Sequence, residues 1–137
     1  MKDRISCVGP WNTPHSVKHF IMKYGINLLL WTDSMHDGLI PTVEAIKSMG
    51  YDGVEMPLFD PNKKLYEEWG KKLDDIGLER TAVTIRGAED NPISPSASVR
   101  SAAVDAMKKT IDCCHASGVK LLALSLIHIS EPTRPSQ

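Results

Sequence analysis

The sequence predicts an α/β fold on a parallel sheet, with elements in the order β-α-β-α-β-α-β. Three observations carry this. Apolar runs of strand length alternate with segments whose apolar residues recur at helical spacing. Three stretches, "SMGYDGVEM", "DIGLERTAV" and "ASGVKLLAL", repeat one pattern of helix end, glycine, short turn and strand. Strands joined in sequence through helices pair in parallel with right-handed crossovers. An open doubly wound sheet and part of a (β/α)8 barrel both fit. The first strand leads into "WTDSMHDG", so the GxGxxG turn of a dinucleotide-binding sheet is absent, and there is no P-loop. A complete barrel takes about 250 residues. On the barrel reading, these four strands are its first half and the barrel is incomplete.

The elements follow from their residues. "YGINLLLW" is apolar on both faces, as in a buried parallel strand. Leu39, Ile40, Val43, Ile46 and Met49 recur at helical spacing, and Gly50 closes the helix. "DGVEM" is the second strand. Asp60-Pro61 predicts a helix start, with proline in the first turn. Leu65, Trp69, Leu73 and Ile76 form the next stripe, closed by Gly77. "LERTAVTI" is the third strand and "NPISPSAS" a loop and cap. Val99, Ala103, Ala106, Thr110 and Cys114 line the third helix up to Gly118, and "VKLLALSL" is the fourth strand.

The 137 residues suffice for one domain with a real core. A formal net charge of −1 gives no electrostatic reason for a nucleic-acid or anionic-membrane partner. Lys63, Lys64, Lys71 and Lys72 alternate with Glu67, Glu68, Asp74 and Asp75, as on a solvated helix face. Cys7, Cys113 and Cys114 are odd in number and two are adjacent, which argues against a disulfide framework. No run of about 18 apolar residues is present, and the N-terminus lacks the apolar core of a secretory signal. A cytoplasmic location is the expectation. Residues 1–21 have no period; they read either as an extension ahead of a natural start at Met22 or as a genuine arm.

A barrel carries its chemistry at the C-terminal ends of its strands. That rule selects Trp31, Asp33 and His36 after the first strand, Glu55 at the end of the second, and Arg86, Glu89 and Asp90 after the third. Glu55 is the sharpest candidate. It stands between Val54 and Met56, and a carboxylate inside a barrel is costly unless paired, hydrated or used. Its bland alternative is a strand-end carboxylate that caps the next loop. Trp31 is either the wall of a sugar pocket or core packing. Asp33, His36 and Asp37 are close in one loop, where Asp37-Gly38 is ordinary turn chemistry. His115 near a helix C-terminus suits the helix dipole and reads as structural.

Four stretches, "MKYGINLLLW", "IKSMGYDGVEMPL", "DDIGLERTAV" and "SPSASVRSAAVDAMKKTIDCCHASGVKLLA", resemble the first half of the xylose-isomerase-like sugar isomerases and epimerases. Among these they are most similar to the ketose 3-epimerases acting on D-tagatose and D-psicose (allulose). The resemblance covers Met22 to about Ala123. It implies a TIM barrel with one divalent metal, Mn, Co or Mg, bound in the full-length parent and not by this chain. It also implies a small-molecule sugar substrate and a homo-oligomeric parent. In the implied reaction two glutamates remove and return the C3 proton through an enediolate. Those ligands belong to later strands, so this chain is expected to hold no catalytic residue and to be inactive alone. What it would contribute is substrate binding: Trp31 matches the family's strand-one tryptophan and Glu55 its strand-two glutamate. Asn27 falls where some epimerases have an aromatic pocket residue, and Met35 where they have a second tryptophan. Those two departures leave the sugar open.

After Ala123, "LSLIHISEPTRP" replaces a glycine-rich strand end and resembles translated sequencing adapter. The expected division is therefore 1–21 extension, 22–123 barrel and 124–137 non-native tail, with no role for His128, Glu131 or Arg134. Hydroxypyruvate isomerase, inosose dehydratase and sugar-phosphate epimerase are alternatives within the superfamily. A small non-catalytic α/β binding module is the alternative outside it.

Overall fold

Four parallel strands lie side by side in chain order, β1-β2-β3-β4, with a helix after each of the first three. The strands are β1 (Gly25–Asn27), β2 (Gly53–Pro57), β3 (Glu79–Arg86) and β4 (Leu122–Leu126). The helices are α1 (Ile40–Ser48), α2 (Lys63–Ile76) and α3 (Ala97–Ser117). This computed structural model describes residues 22–126; Cys7, His128, Glu131 and Arg134 lie outside the described residues, as does most of the expected 124–137 tail. Within that tail, Leu124–Leu126 complete β4 in register with Thr84–Arg86. Among the described residues, no helix is long and apolar enough to cross a membrane.

Strand alternation divides the sheet into two unlike faces. Register places Ile26 beside Val54 and Arg80, and Met56 beside Ala82 and Leu122's row. On this face Val54, Met56, Leu58, Ala82 and Thr84 are buried. They pack with Val43 and Ile46 of α1, Tyr66, Trp69 and Leu73 of α2, and Cys113 and Cys114 of α3. The opposite face carries Asn27, Glu55, Thr81, Val83, Ile85, Ala123 and Ser125, all half-buried or exposed. All three helices supply the core on one side, so among the described residues no helix covers the second face. A sheet covered in this way is part of a barrel wall, with the bare face turned inward.

The three glycine joints are real and alike. Gly50, Gly77 and Gly118 have φ of 92°, 78° and 73°, where an L side chain is strained. In each, the residue after the glycine donates its N–H to the carbonyl five positions back: Tyr51 to Ile46, Leu78 to Leu73 and Val119 to Cys114. Leu78 is buried directly under its joint, which fixes where β3 begins.

The start of one helix and the end of one strand differ from expectation. The cap of α2 is Asn62, whose Oδ1 accepts the Leu65 N–H at 3.3 Å, so Asp60-Pro61 lies in the loop before the helix. The first strand is also shorter than "YGINLLLW" predicts. Asn27 Oδ1 accepts the Leu29 N–H at 2.7 Å and turns Leu28–Leu30 into a single 3₁₀ turn. A capping asparagine satisfies backbone that would otherwise seek a neighbouring strand.

Helices α2 and α3 touch closely at Gly70. A Cβ there would meet the Ser117 carbonyl oxygen at 2.8 Å and its Cα at 2.9 Å. Gly70→Ala should therefore destabilise the chain by about 1–3 kcal/mol through overpacking. Helix propensity alone would give about 1 kcal/mol of the opposite sign. Urea unfolding followed by circular dichroism reads that sign directly, and a stabilised variant would remove the close approach. Arg80 ties the same corner together. Its Nε donates to the Ser117 carbonyl, and its Nη atoms clamp Asp74 at 2.7 and 3.1 Å. That bond holds the Asp74 carboxyl below its ordinary pKa.

Candidate functional site

The bare face concentrates its polar side chains in one row. Asn27, Glu55 and Thr81 are register partners on β1, β2 and β3, so all three point to the same side. Asn27 Nδ2 donates to Glu55 Oε2 at 2.5 Å. The same amide has its oxygen engaged by Leu29 N–H, which fixes the amide's orientation and leaves its nitrogen for the carboxylate. One side chain thus both ends β1 and holds Glu55. Such a charge-assisted bond orients a carboxylate more firmly than a neutral one would. Glu55 lies third in β2, two residues before the strand's end, and is half-buried.

The row borders a cavity of about 400 Å³ lined by Lys23, Asn27, Asp52, Glu55, Glu79 and Thr81, among others. Lys23 and Glu79 form an ion pair at its edge, and Asp52 accepts the Tyr24 N–H at 2.8 Å. The hydrogen bond and charge of Glu79 hold the Lys23 ammonium above its ordinary pKa. These groups stand at the N-terminal ends of the strands. They satisfy one another and form a polar floor. Toward the C-terminal ends the same face turns apolar, with Pro57, Val83 and Ile85. Glu55 and Asn27 mark the boundary between the two zones. A carboxylate and an amide in that position can accept from and donate to hydroxyl groups, with an apolar wall above them for C–H faces.

The other candidates are dispersed. Trp31 follows the 3₁₀ turn and is 50% exposed. It lines a different concavity with Pro41, Thr42, Ala45, Met49 and Tyr51, on the flank of α1. The structure therefore brings Asn27 and Glu55 together and sets Trp31 apart from them. Met35 is buried in the core. Asp37 pairs with Lys72 at 2.5 Å, while His36 is exposed before the next turn. Asp33 faces Asp60 across a shallow cleft that also includes Phe59 and Tyr66. Arg86 is one residue out of phase with Ile85 and points into the helix layer, where Nη2 donates to Thr110 Oγ1 at 2.5 Å. Glu89 is exposed and Asp90 pairs with Arg86 at 3.4 Å. Sequence reasoning missed Thr81; counting by twos from the Glu55 register would have found it. Among the described residues, no three His, Cys, Asp or Glu side chains converge as a metal site.

A family model described as a xylose isomerase-like TIM barrel matches residues 43–136. Comparison with curated proteins finds no match. Among solved structures, D-allulose 3-epimerase from Methylomonas sp., in complex with D-allulose, is similar with a TM-score of 0.64 and 21% identity over 75% of this chain. D-psicose 3-epimerase with D-tagatose, from Clostridium cellulolyticum H10, gives 0.63 and 20% over 75%. A sugar phosphate isomerase/epimerase described as putative, from Anabaena variabilis, gives 0.62 and 20% over 73%. The chain spans 36%, 37% and 36% of those three structures, respectively.

Proposed function

Because the chain belongs to the xylose isomerase-like TIM barrel family, we propose that it forms the first four strands of a ketose 3-epimerase. The reaction is removal of the C3 proton of a ketohexose and its return on the opposite face. The observation that carries this reading is the Asn27–Glu55 pair, fixed at 2.5 Å on the face with no helices. The likeness of the fold to ketose 3-epimerases supports the substrate class.

In this reading Glu55 accepts a hydrogen bond from a sugar hydroxyl, and Asn27 holds the carboxylate in place for it. Both are positioning groups, and neither moves the C3 proton. Trp31, set on the α1 flank, would reach the sugar only through the loop that follows it. The family's divalent metal does not fit the described residues, since no ligand cluster forms among them. It would be held by residues of the complete protein beyond them, so no step here runs through it.

The test is D-fructose to D-allulose conversion by the complete reading frame in the presence of Mn²⁺. Glu55→Gln is expected to lower kcat/KM by about 10- to 100-fold, the loss of a charged hydrogen bond worth about 1.5–3 kcal/mol. Its far-ultraviolet circular dichroism should be unchanged. The 137-residue chain by itself is expected to turn over no ketose. Activity of the complete protein on hydroxypyruvate, inosose or a ketose phosphate alone would replace this reading with another reaction of the superfamily.

A further inference from the structure

Most polar groups on the inward face of the sheet already have partners. On β3 that face carries Glu79, Thr81, Val83 and Ile85. Glu79 is paired with Lys23 at the N-terminal end, and the side chains of Val83 and Ile85 carry no polar atom. On β1 the Asn27 amide is engaged at both ends, by the Leu29 N–H and by Glu55 Oε2. That pairing leaves Glu55 Oε1 as an acceptor. Thr84 and Thr110 donate their hydroxyls to backbone carbonyls, of Leu58 at 2.7 Å and of Ala106 at 3.1 Å. Thr81 is half-buried, and among the described residues its hydroxyl makes no such bond.

We propose that Thr81 and Glu55 together read one hydroxyl group of the ligand, which makes Thr81 a specificity-determining residue. The two are register partners on adjacent parallel strands and line the same cavity of about 400 Å³. Such strands lie about 4.8 Å apart, with the two side chains on one side. An oxygen between their heads can lie about 2.8 Å from both. A carboxylate only accepts, whereas a threonine hydroxyl can donate. A ligand hydroxyl therefore donates its proton to Glu55 Oε1 and accepts the Thr81 proton on its oxygen. A carbonyl oxygen has no proton for Glu55. A phosphate or carboxylate brings a second negative charge beside it. An alcohol satisfies both partners.

Both partners are held before the ligand arrives. Asn27 orients the carboxylate at 2.5 Å. Thr81 is β-branched, so its strand restricts the hydroxyl to few directions. A ligand that lacks the hydroxyl leaves a half-buried carboxylate without its donor, and sites built in this way reject the deoxy analogue strongly. The inference rests on the ketose reading for its ligand and adds to it the group by which the inward face selects among ketoses.

Isothermal titration calorimetry of the complete protein tests it, with D-fructose and its monodeoxy analogues as probes and Mn²⁺ present throughout. Thr81→Val keeps the shape and removes the hydroxyl, so it should weaken D-fructose binding by about 3- to 10-fold. Thr81→Ser should restore most of that loss. For one monodeoxy analogue, the one without the hydroxyl that is read, the wild type and Thr81→Val should bind alike. A merely structural role for Thr81 would instead lower the affinity for every analogue by the same factor, and that result overturns the proposal. So does a Thr81→Val variant that binds D-fructose as the wild type does, which leaves the ketose reading standing. A wild type that binds no ketose ends that reading and this inference with it.

Discussion

Trp69→Ala should lower the unfolding free energy of this chain by about 4 kcal/mol, the upper range for removing a large buried aromatic. Trp69 is fully buried at the centre of α2, where it meets the core formed by all three helices and the sheet. Lys72, one turn along the helix, rests its ammonium 5.1 Å from the ring centre. Domains of this size hold about 5–15 kcal/mol in all, so the variant should be largely unfolded under mild denaturant. Trp69→Phe is the informative contrast. The indole N–H of Trp69 has no partner among the described residues, and a buried donor left unpaired costs about 1–3 kcal/mol. Phenylalanine gives up volume but also removes that donor. Its loss should therefore stay below about 1.5 kcal/mol, because the cost of the smaller cavity is offset by removal of the unpaired donor. Urea denaturation of the two variants checks both values; equal losses would mean that the indole nitrogen is satisfied in solution.

Asp90→Ala should cost about 3 kcal/mol, because it strands a buried guanidinium. The Arg86 side chain is 5% exposed, with Asp90 Oδ2 at 3.4 Å as its carboxylate partner. Asp90 also accepts the Gly87 N–H at 2.8 Å, so alanine releases the turn after β3 as well. The reverse substitution behaves differently. Arg86→Met removes the charge together with its unpartnered Nε. It leaves Asp90, whose side chain is 29% exposed, free to hydrate. Thr110 keeps its hydroxyl bond to the Ala106 carbonyl at 3.1 Å. A well-packed apolar replacement of a buried charge is often neutral, so Arg86→Met should change stability by less than about 1 kcal/mol. Thermal melts that rank the two variants in the opposite order would show that the ion pair itself, and not the cost of stranding a charge, dominates here.

The glycine joints and the stripe of α2 were plain in the sequence because each has one dominant cause. A positive-φ glycine has few substitutes, and Trp69, Leu73 and Ile76, four and then three residues apart, share one face on a helix but not on a strand. The first strand was harder to read. "INLLLW" satisfies the pattern of a buried strand throughout, yet Asn27 offers its side-chain oxygen to the backbone two residues on and ends the strand. Local hydrogen bonding outweighed hydrophobic pattern there, and Leu30 is left exposed as a result. That turn also carried Trp31 away from Glu55, which no count along the chain would foretell. Arg86 misled for a simpler reason. It stands at a strand end where chemistry is expected, but alternation from Glu55 sends it to the helix side. Parity along a strand decides which groups can share a site, and proximity to the strand's end does not.

The three matching joints between helix and strand divide the molecule into two regimes of change. Connections from helix to strand are short and pinned by a left-handed glycine with its backbone bond. Connections from strand to helix are longer, at residues 28–39, 58–62 and 87–96. An inserted residue at a pinned joint would shift the whole following strand by one step and exchange its two faces. At the opposite end, an insertion is absorbed by the loop and leaves strand register untouched. Variation in sequence and length can thus accumulate at one pole of the molecule while the other keeps time for the sheet.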